Sequence, residues 1–246
     1  MERAMTPPLT RRQRVRDATL RELVAVSRDI LNSQGTEALT IRAVAREMGM
    51  TAPGVYRYFG SHRDLMDAVI VAILDELTEY ISTEVGQVDP SDTAARLIVA
   101  SRALRHWAVE HCREFQLSLI VTIPPEEDDA LVSQARRQVG GLFGAIFAEL
   151  WNEYDIPAAE PQRHPAATKA LAERLLQRLE VPLPNSLAAM TFTRCWLRLY
   201  GVVCMESMGL TRTIGDEAGV LFEAELADLA QQLGLPESAL DAGTPR

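Results

Sequence analysis

Residues 40–65 read TIRAVAREMGMTAPGVYRYFGSHRDL, and their pattern decides the fold. Thr40 caps a short helix whose apolar positions, Ile41, Val44, Ala45 and Met48, recur at helical spacing and form one inward face. Gly49 makes the turn. Thr51 caps a second helix, and Pro53 is tolerated in its first turn, where no intrahelical N–H is needed. Gly60 ends that helix. Val55 and Phe59 are four apart and face inward onto Val44 and a preceding helix, so Tyr56, Arg57 and Tyr58 point elsewhere. Two short helices joined at a glycine turn, with the second rich in Tyr and Arg, form a helix-turn-helix, which places a short helix in the DNA major groove.

The chemistry of the outward residues divides in two. Thr51, Ala52, Pro53 and Gly54 are small and let the helix tip approach base edges and thymine methyls. Tyr hydroxyls and the Arg57 guanidinium suit phosphates and set register. Thr40 and Thr51 offer a cap and a phosphate hydrogen bond, at helix N-termini that themselves attract phosphate. A helix pair with a glycine turn and aromatics also occurs as plain core. The clustering of Tyr56, Arg57, Tyr58, His62 and Arg63 on one outward face favours DNA.

Working outward, apolar positions from Arg14 to Ser33 (Ala18, Leu23, Val26, Ile30, Leu31) predict a first helix stopped at Gly35. Ser61 caps a long fourth helix, with Asp64 three residues on as a short-chain capping box, and it continues through Leu65, Ile70, Ile73, Leu77 and Ile81 to about Gly86. VDPSD (88–92) is a turn and the expected domain boundary. The expected domains are therefore a DNA-binding head over 14–86, which includes the linking helix 61–86, and a body over 92–235. Helical periodicity continues over about 92–111, 115–121, 129–153, 167–180, 185–208 and 216–233. IPPEEDD (123–129), the Pro-rich 155–166 and VPLP (181–184) read as loops or breaks, residues 1–12 as a loose basic arm and 236–246 as a disordered tail. Strand-like alternation is absent, so the fold class is all-α, with about nine helices.

The net charge of −9 argues against nucleic acid only as an average, because residues 1–65 hold 11 Arg against 7 Asp and Glu while the remainder is strongly acidic. A basic end on an acidic body fits DNA contact through that end alone. Cys112, Cys195 and Cys204 lack paired metal spacing and lie in apolar helical stretches, as reduced cytosolic thiols do. No apolar signal core or membrane-length run occurs, so the expected location is the cytoplasm. No metal or cofactor is expected. Catalysis is not expected either: adjacent His111 and Cys112 fall on different helix faces, and Cys204 and Glu206 have no His near them in sequence.

From Arg14 to about Leu74 the chain resembles the N-terminal domain of TetR/AcrR-type transcriptional regulators. The resemblance is carried by the first helix ending at Gly35, Thr40-Ile41-Arg42-x-Val44-Ala45, Gly49-Met50-Thr51, Val55-Tyr56-x-Tyr58-Phe59 and Ser61-x-x-x-Leu65, in order and without a gap. It implies DNA-backbone contacts from Thr40, Arg42, Thr51, Tyr56, Tyr58 and the position of His62. It also implies that Ala52, Pro53, Gly54 and Arg57 lie closest to the bases. The family usually has Lys where this chain has His62. A neutral imidazole makes a weaker phosphate contact, so operator affinity is expected to depend on pH more than usual. Further on, Trp196-x-x-x-Tyr200-Gly201 is similar to the W-x-x-x-H-G pattern of one C-terminal branch, with Tyr200 in the place of His.

The resemblance further implies a homodimer on a near-palindromic operator, with the last two long helices forming a four-helix bundle with their copies. Leu187, Met190, Trp196, Leu199, Val203 and Met208, with Leu221, Phe222, Leu226 and Leu229, are the interface candidates; filling the monomer core is the other use of such residues. It implies a ligand cavity too, with Trp107, His111, Phe115, Leu119, Phe143, Phe147, Trp151 and Cys195 as candidate lining, though core packing also accounts for them. That set is aromatic and poor in charge, which points to a small apolar or aromatic effector. Gly140-Gly141-x-x-Gly144 leaves room for close helix approach or for a ligand. The resulting expectation is a ligand-responsive repressor of double-stranded operator DNA. The alternatives are a redox-sensing regulator that uses Cys112 and a helical module that binds an acidic protein rather than DNA.

Overall fold

The computed structural model describes residues 10–120, 130–157, 165–178, 181, 183–210 and 218–243. Expectations for the N-terminal arm before Thr10, for 123–129, for most of 155–166 and for part of the VPLP break lie outside these residues. The described residues form ten α-helices and no strand. They are α1 (Arg11–Gln34), α2 (Ile41–Glu47), α3 (Ala52–Tyr56), α4 (His62–Val85), α5 (Thr93–Glu110), α6 (Cys112–Phe115), α7 (Ala130–Glu153), α8 (Pro165–Arg178), α9 (Ser186–Ser207) and α10 (Ala218–Gln232). A π turn, Gln116–Ile120, follows α6, and a 3-10 turn, Glu237–Asp241, follows α10. No helix among the described residues is long and apolar enough to cross a membrane.

The chain divides into two compact units, with Ala72 the last residue of the first and Ile73 the first of the second. The division falls inside α4, which is continuous across it.

The helix boundaries follow local chemistry. α1 starts earlier than its apolar pattern suggests, because Thr10 and Gln13 form a reciprocal capping box. The Gln13 side-chain oxygen accepts from the Thr10 amide at 2.8 Å, and the Thr10 hydroxyl accepts from the Gln13 amide at 3.3 Å. Ser61 and Asp64 make the expected short-chain equivalent before α4: the Asp64 amide donates to the Ser61 hydroxyl at 3.1 Å, which in turn donates to the Asp64 carboxylate at 2.6 Å. Asp92 and Asn185 accept from the Ala95 and Ala188 amides, both at 2.9 Å, and start α5 and α9.

The second unit is built around α5, α7, α9 and α10. Phe115, Phe143, Phe147 and Phe222 are among its largest fully buried side chains. Around them run several aromatic contacts: Phe143 meets Trp196 edge-on at 5.0 Å, and Phe147 meets Phe192 at 5.4 Å. Arg102 of α5 holds Glu223 of α10 with both ends of its guanidinium (3.0 and 2.6 Å) and donates to the Ala242 carbonyl. Arg105, one turn on, pairs bidentately with Glu206 of α9 at 2.8 and 2.6 Å.

These contacts correct the expectation of a disordered tail. Residues 236–243 carry a 3-10 turn, Leu235 and Ala239 are buried, and Gly243 lies so near Val99 that an added Cβ would sit 3.0 Å from its side chain. The polar, small-residue composition of this stretch hides the fact that one leucine, one alanine and one carbonyl suffice to anchor it.

Candidate functional site

In the first unit, Leu23, Ile30 and Leu31 of α1 form a core with Leu39, Ile41, Val44, Ala45, Val55 and Phe59. Gly49 turns between α2 and α3 with φ of 63°, the left-handed region that glycine occupies without a Cβ penalty. The Thr40 hydroxyl accepts from the Ala43 amide at 3.1 Å and the Thr51 hydroxyl from the Gly54 amide at 3.3 Å. Both threonines remain exposed.

With Val55 fully buried, α3 turns its other residues outward. Tyr56 is 49% exposed, Pro53 and Arg57 are exposed, and Ala52 and Gly54 are half-buried. Arg42 is exposed on α2. The sequence-predicted residues at the start of α2 and along α3 are thus held by a common core and kept accessible.

Two members of the set also make contacts within the unit. Tyr58 is half-buried, with the Arg16 guanidinium of α1 over its ring at 5.9 Å, a cation–π contact that orients the ring. The Nε2 of His62 lies 2.6 Å from the carbonyl oxygen of Leu39. A carbonyl only accepts, so that nitrogen carries hydrogen and the ring ties the start of α4 to the residue that leads into α2.

The second unit holds two chemically distinct cavities beside the ring cluster. One is a narrow cavity of about 40 Å³ between α5, α7, α9 and the end of α10. Phe143, Phe147, Cys195, Leu199, Leu226 and Leu229 are among its walls. Its lining carries no charged side chain among the described residues. The Ser101 hydroxyl there is spent on the Leu97 carbonyl at 2.8 Å, and burial pushes the Cys195 thiol up to about 11, so it stays protonated. The other cavity is wider, about 340 Å³, and is lined by Leu119, Arg136, Arg137, Gly140, Gly141 and Tyr200 among others. Phe192 and Trp196 face both cavities.

Of the predicted effector-lining residues, Phe143, Phe147 and Cys195 border the apolar cavity, and Leu119 borders the other. Trp107, His111, Phe115 and Trp151 border neither. Trp107 is buried and stacked on His111 at 4.7 Å. Phe115 is buried against Tyr200 at 5.9 Å, and Trp151 packs beside Phe147 at 6.0 Å. Sequence reasoning missed Leu97, Leu233 and Leu235, which carry no aromatic or polar mark to set them apart from core.

The interface candidates divide by burial. Leu199, Val203, Phe222, Leu226 and Leu229 are buried within the protomer. Trp196 and Met190 are half-buried, while Leu187, Met208 and Leu221 are exposed. The same helices expose other apolar side chains, with Leu197 at 63%, Met205 at 50% and Val220 at 70%. On α9 these fall at 187, 190, 197, 205 and 208 with Gly201 between, a three-and-four spacing that marks one helix face.

Tyr200, which stands where the resembling branch has His, is anchored by its hydroxyl, donating to the Leu119 carbonyl at 2.7 Å, and it stacks on Trp196 at 5.4 Å. Burial raises its pKa well above the ordinary range, and burial likewise raises that of Cys204. All three cysteines are free, and Cys112 is half-buried.

Comparison with known proteins agrees with this geometry. Residues 23–69 match the family described as bacterial regulatory proteins, tetR family, and residues 97–229 match the tetracyclin repressor-like, C-terminal domain. HTH-type transcriptional regulator Mb1846 of Mycobacterium bovis is 26% identical over 221 residues, covering 87% of this chain and 92% of that protein. HTH-type transcriptional regulator Rv1816 of Mycobacterium tuberculosis matches to the same extent, at 26% over 221 residues. Among solved structures, SCO4313, described as a regulatory protein, superposes with a TM-score of 0.68 at 23% identity over 90% of this chain and 100% of that one. A Rhodococcus sp. RHA1 protein of unknown function gives 0.66 at 16% identity over 94% and 99%. These two likenesses concern the fold alone. The family matches, one of which spans more than half of the sequence, show that the chain belongs to the TetR family of bacterial regulatory proteins and is a helix-turn-helix, DNA-binding transcriptional regulator, not an enzyme.

Proposed function

We propose that the protein is a cytoplasmic repressor that binds a near-palindromic operator as a homodimer and releases it when a small apolar molecule enters the second unit. The observation that carries this is the pairing of an exposed Tyr/Arg-bearing α3, set on a buried Val55–Phe59 stripe, with a separate unit that contains an uncharged cavity. Thr40, Arg42, Thr51, Tyr56 and Tyr58 are assigned to phosphates, and Ala52, Pro53, Gly54 and Arg57 to the base edges. The head spans 14–86 and the body 92–235, with α4 common to the two compact units.

Two-fold sites pair with two-fold proteins. The exposed stripe of α9, with Val220 and Leu221 of α10, supports a four-helix interface between copies. Leu187, Leu197 and Met205 in it are apolar and exposed, and Gly201 in mid-stripe allows close helix approach. An effector in the apolar cavity touches α5, α7, α9 and α10 together. To weaken operator binding about 100-fold it needs a coupling of about 2.7 kcal/mol.

The decisive experiment selects duplexes from a random pool with the full protein, then measures mass in solution with and without the selected duplex. A dimer on two inverted half-sites, preferred over bulk DNA by at least about 10³-fold, is the expected result. A protein that binds all duplexes alike, or prefers none, overturns the operator assignment and favours a protein-binding module.

A further inference from the structure

We infer that the first two turns of α1 form a second DNA-contacting strip, in which Arg11, Arg12 and Arg14 grip the phosphate backbone beside the segment read by α3. This deepens the operator reading above and rests on it. Residues 11–16 read RRQRVR, and every one of them is exposed. The core does not require them, since the buried face of α1 begins only at Leu23. They also precede 23–69, the stretch that matches the family. The first turn of α1 holds Arg11 and Arg12 and no acidic residue, the reverse of what the helix dipole favours. Asp17, the first carboxylate of the helix, lies past all of these arginines and is half-buried. Elsewhere arginines are paired: Arg63 with Asp67, Arg102 with Glu223, Arg105 with Glu206 and Arg198 with Glu225. Arg11, Arg12, Arg14 and Arg16 are in no ion pair among the described residues. Clustered positive charges without internal compensation fit an anionic polymer, whose condensed counterions they displace.

The strip lies beside the DNA-facing residues of the same unit. The Arg16 guanidinium sits over the Tyr58 ring at 5.9 Å, which sets this part of α1 against the chain that leaves α3, next to exposed Tyr56 and Arg57. Arg12 is four residues before Arg16 and shares its helix face, about 6 Å farther along the axis. Arg11 and Arg14 are three apart and share the adjoining face. The strip is ordered in advance, because the reciprocal capping box of Thr10 and Gln13 fixes the helix from Arg11 onward. Binding then has side chains alone to order there. Gln13 could read adenine only through its side-chain oxygen, and that oxygen already accepts from the Thr10 amide at 2.8 Å and the Thr10 hydroxyl at 2.9 Å. What the strip offers is charge, which suits phosphates and carries no sequence preference.

The strip is tested with the full-length protein, by measuring its affinity for the duplex selected from a random pool and for bulk duplex DNA over a range of salt. The triple variant Arg11→Gln/Arg12→Gln/Arg14→Gln leaves Arg16 and Tyr58 in place. Gln is close to Arg in helix propensity, so the variant is expected to melt no lower than the wild type. Its log–log salt slope is expected to be shallower by at least about 0.9 for each subunit bound. Its affinity for both kinds of DNA at moderate salt is expected to fall by a similar factor, at least about tenfold, with the selected sequence unchanged. The lysine equivalent, Arg11→Lys/Arg12→Lys/Arg14→Lys, is expected to keep the wild-type slope. The single variant Arg12→Gln, which disturbs the helix least, is expected to shift the slope in the same direction as the triple variant. No shift in either glutamine variant overturns the strip. A slope lost equally with lysine overturns the charge assignment, and a changed selected sequence overturns the backbone assignment in favour of base reading. A wild type that prefers no duplex overturns the operator reading, whereas the strip itself falls only if binding to bulk DNA is the same in wild type and glutamine variants.

Discussion

His62 at the start of α4 donates from Nε2 to the carbonyl of Leu39, 2.6 Å away and 23 residues earlier in the chain. With Nε2 committed to that carbonyl, only Nδ1 is left to meet a phosphate oxygen. The side chain thus serves as a clamp between α4 and the approach to α2 where the family's usual Lys serves as a phosphate contact. His62→Lys trades the clamp for a charge. Its operator binding should become steeper in salt, by about 0.9 in the log–log slope for each subunit bound, while the protein loses about 1 kcal/mol of stability. An unchanged slope in a titration from low to moderate salt would show that position 62 does not face the DNA.

The tip and flank of α3 should separate experimentally. Tyr56→Phe removes a hydroxyl from an exposed ring and should weaken binding to all duplexes by a similar factor. At Gly54 an added Cβ meets only the Met50 and Thr51 side chains, at 3.4 Å, so Gly54→Ala folds. It should alter which sequence a random pool yields, with discrimination changed by about 1–3 kcal/mol at one base pair. Identical selected sites for wild type and Gly54→Ala would remove that residue from the base-reading tip.

Arg102 connects three parts of the second unit, with its side chain only 11% exposed against 44% for its partner Glu223. Arg102→Ala should cost about 1–2 kcal/mol after allowance for the solvent-screened carboxylate, and the melting temperature should fall accordingly. Because the same guanidinium donates to the Ala242 carbonyl, amide exchange at residues 237–243 should accelerate more than exchange in α7. Uniform acceleration would mean that the segment is held by Ala239 and Leu235 alone.

Cys195 makes stability depend on alkaline pH. Its thiol is raised from 9.0 to about 11, chiefly by burial, against the lowering effect of Arg198 and Arg194. A raised folded value favours the protonated form, so this contribution is complete below about pH 9 and is lost as pH climbs to about 11. Its full size is about 3 kcal/mol. Cys204 acts in the same direction, since burial raises it as well. Cys195→Ala should flatten the decline in melting temperature between about pH 9 and 11. A decline as steep as in the wild type would show that the thiol is not shielded.

The head was legible because its determinants are local. Thr40, Thr51 and Ser61 cap within three residues, and the inward stripe of Val44, Val55 and Phe59 follows helical spacing. The clamp at His62 was not legible, since a 23-residue separation leaves no periodic trace. In the body, α9 carries two apolar stripes. Leu199 and Val203 pack inward, whereas Leu187, Leu197 and Met205 face out. Hydropathy alone does not rank these faces; the positions of α5, α7, α8 and α10 decide which is covered. The glycines of α7 posed the same problem. Their sequence allowed close packing or an open space, and the structure uses Gly144 for one and Gly140 and Gly141 for the other.

Phe192 and Trp196 form a partition with a different chamber on each side. Their rings cannot move toward one chamber without vacating the other. A compound entering either chamber would therefore meet the same two rings, and its fit would depend on how far they had already been displaced toward the other side.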